Sequence, residues 1–273
     1  MSMSSLNPLF SIVIVTYNSA EHIENCIHSI IQNIDIGNYE IIIVDNCSTD
    51  ETVKIIKKYN NVVLAVNSQN YGFATANNKG FKIARGEYVI VLNPDVNFTN
   101  KTNVMKMIEY FKETRDTGII APKLYYRNGD VQENARSFPN IWVLIIRGLK
   151  LENRFHRYKF YNKKVGNSNS EIVKSVDWVI GAFFLIRREL LVELNYFDPK
   201  YFMYYEDADL CLRAAKKGYR VIYYPFVSAI HDYMRESSKK YFSRLKFIHI
   251  QSVIRFYAKK IGIIKIWNDS VVS

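Results

Sequence analysis

The chain has 273 residues, 48% of them hydrophobic, and a formal net charge of +11. That length and composition exclude a disordered chain and allow one large domain, or one domain with a tail. The longest apolar or Gly-spaced stretch, Trp178 to Ile186, is about half of what a bilayer-spanning helix needs. Met1 to Asn7 lacks the basic start of a secretory leader, so a cytoplasmic chain is expected, and Cys26, Cys47 and Cys211, odd in number and without CxxC spacing, fit reduced thiols.

In chain order, Phe10 to Thr16 is a β-branched run that predicts the first strand. Asn18 as N-cap, Glu21 three residues on, and Ile23, Ile27, Ile30 and Ile31 at helical spacing predict the helix that follows. Glu40 to Val44 reads as a second strand, and Ser48-Thr49-Asp50-Glu51 has the capping-box form that opens a helix through Val53, Ile56 and Tyr59. Val62 to Val66 is a third strand, Gly72 to Ala84 a helix, and Tyr88 to Leu92 a fourth strand ending in Asn93-Pro94-Asp95. This β and α alternation with short loops predicts a Rossmann-like, mainly parallel sheet flanked by helices.

Beyond Asp95 the pattern predicts a helix from Lys101 to Thr114, a strand from Gly118 to Leu124 and a turn at Asn128-Gly129. Asn162 to Ser170 reads as a polar loop and Val176 to Ile186 as a buried strand system. A helix from Arg188 to Leu194 follows. The next helix opens on Glu206-Asp207-Ala208-Asp209 and closes at Gly218, and Tyr219 to Tyr224 is the last strand. No internal repeat is present.

Three strand ends carry small or polar residues that can face one crevice: Thr16 and Asn18, Asp45 and Asn46, Asn93 and Asp95. In open α/β sheets ligands collect beyond the strand C-termini, so amides and carboxylates there suit a base and ribose, with helix starts facing phosphate. Asn70-Tyr71-Gly72-Phe73 adds a loop in which Gly72 allows close backbone approach to a ligand. Neither a GxGxxG nor a Walker A sequence is present. Glu206, Asp207 and Asp209 crowd three carboxylates into four positions, which raises at least one pKa and is characteristic of a general-base site.

Charge is uneven. Arg136 to Lys164 holds eight Lys or Arg against one Glu, and Met234 to Ser273 nine against Glu236 and Asp269, each interleaved with large apolar residues such as Trp142, Phe155, Phe247 and Ile254. Basic residues alternating with Trp, Phe and Ile suit an anionic membrane surface. Nucleic acid would also attract such patches, but no nucleic-acid-binding motif accompanies them, so no nucleic-acid partner is expected.

In this order, Ile14-Val15-Thr16-Tyr17-Asn18-Ser19, Ile43-Val44-Asp45-Asn46-Cys47-Ser48-Thr49-Asp50, Asn70-Tyr71-Gly72-Phe73, Leu92-Asn93-Pro94-Asp95, Asp177-Trp178-Val179-Ile180-Gly181-Ala182 and Glu206-Asp207-Ala208-Asp209-Leu210 resemble family 2 glycosyltransferases, within them the bacterial rhamnosyltransferases. The resemblance runs from about Phe10 to Asp232. It implies a GT-A domain over residues 1–232, with a nucleotide-binding part at about 8–97 and an acceptor part at about 98–232, followed by basic amphipathic C-terminal helices over 233–273. It implies an inverting enzyme that takes a nucleotide-diphosphate sugar, with rhamnose from dTDP-rhamnose as the expected donor and a UDP-hexose or UDP-galactofuranose as the alternative. A non-catalytic sugar-nucleotide or glycan-binding module is the other reading.

Residue by residue, the resemblance makes Asp207 the catalytic base and places Trp178, Gly181, Ala182, Glu206 and Asp209 at the acceptor and donor sugar. Thr16, Tyr17, Asn18, Asp45, Asn46, Asn70, Gly72, Phe73, Asn77 and Asn93 fall at the nucleotide, and Asp95 with His231 at a Mg2+ or Mn2+ ion. Asn93 replaces the first acid of a full DxD turn, Asn46 stands where many relatives have Asp, and Cys47 where many have Gly, a position prone to positive φ. The expected acceptor is a glycan or lipid-linked saccharide in cell-surface polysaccharide synthesis. The expected place is peripheral, on the inner face of the cell membrane, with the oligomeric state, a homodimer included, open.

Overall fold

The computed structural model describes residues 7–34, 39–138, 171–232 and 244–264. The predicted loop Asn162–Ser170, most of the first basic segment including Trp142 and Phe155, and residues 233–243 and 265–273 of the C-terminal segment lie outside them. Strands β1 (Phe10–Thr16), β2 (Tyr39–Asp45), β3 (Val62–Val66) and β4 (Tyr88–Leu92) are parallel. β1, β2 and β4 are buried on both faces, which is why they read as unbroken β-branched runs. Ile12, Ile14, Ile41, Ile43, Ile90 and Leu92 pack on one face, and Val13, Val15, Ile42, Val44, Val89 and Val91 on the other, the period of two that a pleated strand imposes.

The helices α1 (Ala20–Asn33), α2 (Thr52–Ile56) and α3 (Phe73–Ile83) connect these strands, and β5 (Val96–Phe98) and α4 (Val104–Glu113) follow. α1 buries Ile23, Cys26, Ile27 and Ile30, one face at helical spacing. Its cap position is Ser19 rather than the expected Asn18, which takes a left-handed φ of +49°. The expected capping box is also replaced: Ser48 turns to Asp45, and Asp50 accepts from the Thr52 amide at 3.0 Å and the Ala20 amide at 3.1 Å, joining the starts of α1 and α2. Short polar residues that cap helices tie loops equally well, so the spacing alone did not distinguish the two.

The second half of the sheet is mixed. β6 (Thr117–Tyr125) carries the hairpin partner β7 (Val131–Gln132), and β8 (Ala135–Arg136) pairs β10 (Trp178–Val179) in a separate small sheet. The single system expected over Val176–Ile186 is divided into β9 (Lys174–Val176), β10 and β11 (Phe183–Arg187), because the chain bends at Asp177 and turns at Gly181 and Ala182. α5 (Arg188–Glu193), α6 (Glu206–Lys216), β12 (Arg220–His231) and α7 (Arg244–Lys260) complete the described chain. Gly218, φ +88°, follows α6 as expected. β12 runs seven residues beyond the expected Tyr224, passing Pro225 through a register shift between Tyr224 and Ser228.

The strand order is β3-β2-β1-β4-β11-β6-β12-β5. The chain turns back between β1 and β4, so a crevice opens where β1, β2 and β4 end. β12 then pairs β5 antiparallel with His231 opposite Val96, which carries the end of β12 to the residue after Asp95.

Candidate functional site

The β1 and β2 ends are joined by side chains. Thr16 Oγ1 donates to Asp45 Oδ1 at 2.9 Å, and the Ser48 amide and hydroxyl donate to the same carboxylate at 2.9 and 2.5 Å. Buried Asn46 uses both ends of its amide: Oδ1 accepts from Asn67 Nδ2 at 3.1 Å and the Tyr71 amide at 3.0 Å, while Nδ2 donates to Asn70 Oδ1 at 2.8 Å and the Gly72 carbonyl at 3.3 Å. Asn18 Oδ1 accepts from the Thr49 amide at 2.8 Å, and Tyr17 stands 52% exposed beside it. Cys47 adopts the positive φ, +69°, that its position suggested. Asn67 and Lys79, whose ammonium reaches Asn67 Oδ1 at 2.7 Å, belong to this network although no motif pointed to them, and Ser48, expected only as part of a helix cap and a family motif, joins it as well.

Two residues of the nucleotide group act differently from expectation. Asn77 is buried and donates to the Phe73 carbonyl within its own helix at 3.0 Å. Gly72, φ +83°, makes its close approach to Phe202: a Cβ there would lie 2.3 Å from the Phe202 carbonyl oxygen, which also accepts from the Phe73 amide at 2.7 Å. The space left by the absent Cβ is thus taken up by the contact between two protein loops.

At the β4 end the Asn93 amide donates to the Ala182 carbonyl at 2.9 Å, seating the Asn93-Pro94-Asp95 turn on the β10–β11 turn. Asp95 Oδ1 lies 3.2 Å from His231 Nε2, and His231 Nδ1 is 2.7 Å from Gln132 Oε1. The amide oxygen of Gln132 can only accept, so Nδ1 carries a proton there and Nε2 is the ring nitrogen that faces Asp95. A carboxylate oxygen beside an imidazole nitrogen held by such a second bond is a donor pair suited to a divalent cation. Among the described residues no group of three or more His, Cys, Asp or Glu converges, so such an ion would take its remaining ligands from substrate and water.

Against the same β10–β11 turn, α6 opens on the acidic motif. Asp207 Oδ2 accepts from the Gly181 amide at 2.8 Å and Oδ1 from the Ala208 amide at 2.7 Å. Burial pushes Asp207 up to about 6, against the lowering effect of these two amides and of Arg136. Burial and then the charge of Asp207 hold Glu206 well above the usual carboxylate range, and Glu206 Oε2 has no hydrogen-bond partner among the described residues. Asp209 does not share this position. It is fully buried, turned away to Arg213 Nε at 2.8 Å and Lys259 Nζ at 2.6 Å, which corrects its expected place at the acceptor. Trp178 is only 8% exposed, with the Arg136 guanidinium 5.4 Å from its ring centre and Tyr205 stacked at 6.2 Å. What it presents at the site is therefore less an open aromatic wall than the exposed Arg136.

The family model for Glycosyl transferase family 2 matches residues 11–195. The rhamnosyltransferase WbbL of Escherichia coli (strain K12) is 27% identical over 257 residues, covering 91% of this chain and 92% of that protein. The N-acetylglucosaminyl-diphospho-decaprenol L-rhamnosyltransferase of Mycobacterium tuberculosis (strain ATCC 25618 / H37Rv) is 26% identical over 266 residues, covering 91% and 84%. Among solved structures, the mannosyltransferase PcManGT from Pyrobaculum calidifontis with GDP-Man and Mn2+ aligns with a TM-score of 0.63 at 19% identity, over 94% of this chain and 65% of that one. The S. aureus TarS 1-349 complex with UDP-GlcNAc aligns at 0.61 and 20% identity, over 95% and 68%. These likenesses establish the expected GT-A fold.

Proposed function

The chain belongs to glycosyltransferase family 2, and from that premise we propose an inverting transfer of rhamnose from dTDP-rhamnose to a glycan or lipid-linked acceptor of cell-surface polysaccharide synthesis. The observation that carries the proposal is Asp207, a buried carboxylate aimed by two backbone amides and seated on the same Gly181-Ala182 turn that holds Asn93, two residues before Asp95. With a folded-state pKa of about 6 it is ionised at neutral pH yet basic enough to take a proton from an acceptor hydroxyl as that oxygen attacks the anomeric carbon. Attack on the face opposite the diphosphate inverts the centre in one displacement.

Asp95 and His231 would hold a Mg2+ or Mn2+ ion, which when bound neutralises charge on the departing diphosphate. Thr16, Asp45 and the amides of the 46–49 and 67–73 loops would receive base and ribose. Asn46, already satisfied, keeps those loops in place. Peripheral attachment to an anionic inner membrane face is supported by α7, which has no acid and whose Phe247, Ile250 and Ile254 are more than half exposed, although Arg255 and Lys259 are turned inward to Asp198. No helix among the described residues is long and apolar enough to cross a membrane.

Calorimetric titration with dTDP-rhamnose, UDP-glucose, UDP-galactose, UDP-N-acetylglucosamine and GDP-mannose, each with and without Mn2+, tests the reading. Selective, Mn2+-strengthened binding of dTDP-rhamnose is expected. Selective binding of a UDP-hexose would replace the donor, and folded protein that binds none of them would overturn the proposal.

A further inference from the structure

The turn that delivers Asp207 has a backbone its sequence does not favour. Tyr204 and Tyr205 precede α6 in consecutive left-handed conformations, φ +71° and +65°. For bulky L-residues such a φ is unfavourable and persists only where the surroundings enforce it. The enforcing contacts come from α7. The His249 ring lies 5.2 Å from Tyr204 and 5.7 Å from Tyr205, the Phe256 ring 5.3 Å from Tyr205, and Ser252 Oγ donates to the Met203 carbonyl at 2.9 Å. One helix therefore grips three successive residues of the turn.

The same helix locks both ends of the segment with charge. Lys259, 1% exposed, places Nζ 2.6 Å from Asp198 Oδ2 and 2.6 Å from Asp209 Oδ1, spanning the residues that bracket Tyr204 and Tyr205. Arg255 adds a 2.8 Å pair to Asp198, and Arg213 holds Asp209 from within α6. Burial alone would raise Asp198, but its bonds to Lys259, the Lys200 amide and Arg255 hold it below the usual carboxylate range. Both cations of α7 lie against the Tyr201 ring, at 5.1 Å for Lys259 and 5.5 Å for Arg255. Each carboxylate thus has a second cation, so Lys259 is not needed merely to avoid an orphaned charge.

We propose that α7, which lies wholly beyond the segment matched by the family model, is part of the active site, and that Lys259 is a positioning residue for Asp207: by clamping Asp198 to Asp209 it keeps Tyr204 and Tyr205 left-handed and the carboxylate on the Gly181 amide. This rests on Asp207 being the base. Its charge environment comprises Glu206 and Asp209 on α6, Arg136 from β8 and, through Asp209, Arg213 and Lys259. Removing the Lys259 charge leaves Asp209 less compensated beside Glu206, so the Glu206–Asp207 pair holds its proton more tightly.

The test is Lys259→Met in the full chain, assayed for transfer and for calorimetric donor binding. Donor affinity and stoichiometry should stay within about twofold while kcat falls by about tenfold or more, and the acid limb of the kcat profile should move to higher pH. Lys259→Arg should restore the limb and part of the rate. Unchanged kcat and pH limb in Lys259→Met, or loss of donor stoichiometry in proportion to rate, would overturn the assignment. Should Lys259→Met not fold, Arg255→Gln at the rim of the same clamp decides, with a smaller fall in kcat expected and a wild-type profile counting against the proposal. A wild-type protein that binds no donor would instead be a failure of the transferase reading itself.

Discussion

The two banks of the crevice are held in shape by different forces. On the nucleotide bank, Thr16, Asp45, Asn46, Ser48, Asn67 and Asn70 satisfy one another through short hydrogen bonds at the ends of parallel strands. On the acceptor bank, Asp207 and Glu206 are buried with raised proton affinity, two tyrosines are left-handed, and a cluster of buried ions closes the turn. In the proposed reaction the first bank presents a fixed surface to a ligand that it only binds, and the second holds a group that changes protonation. Buried, perturbed and strained groups gather where chemistry occurs, which supports the proposed assignment of the reactive group to the second bank.

Three substitutions would break or sharpen that contrast. The largest effect is expected for Asp207→Asn, which keeps a side chain able to accept from the Gly181 amide but cannot take a proton. Transfer should fall about a thousandfold with donor binding nearly intact, and unchanged turnover would remove the base assignment. Because the folded-state pKa of Asp207 is raised to about 6, wild-type turnover should decline as pH falls through that value and be flat above it. Asn46→Ala should act on the other bank: it leaves the buried Asn67 side-chain amide and the Tyr71 backbone amide without their acceptor and should cost about 2 kcal/mol in urea unfolding while weakening donor binding rather than kcat. Arg136→Gln should give the smallest change, an acid limb displaced to higher pH, since Arg136 favours the ionised Asp207 but is exposed and screened by solvent. An acid limb displaced to lower pH would contradict the sign of that interaction.

The first bank was the more legible in sequence. Strands β1, β2 and β4 are doubly buried, so composition reports them directly; Asp45 closes β2, and Asn46, Asn93 and Asp95 lie within three residues of a strand end. Local cues failed where one residue type has two uses: Ser48 and Asp50 have the composition of a helix cap but tie loops, and Gly72 has the freedom that suits a ligand but meets Phe202. On the second bank the carboxylate motif was visible, whereas the reversal of Asp209 was not. Its partner Lys259 is 50 residues away, in a tail whose basic composition reads as surface charge, and only the packing of α7 shows that one of those cations is buried. His231 was reached by motif, but its approach to Asp95 depends on β12 continuing past Pro225 to pair with β5.

The missing Cβ at Gly72 also has a mechanical meaning. With the Phe202 carbonyl accepting from the Phe73 amide at 2.7 Å and no Cβ on Gly72 to separate them, backbone meets backbone directly at this point. A displacement of the 67–73 loop is therefore expected to draw Phe202, four residues ahead of Glu206, with it.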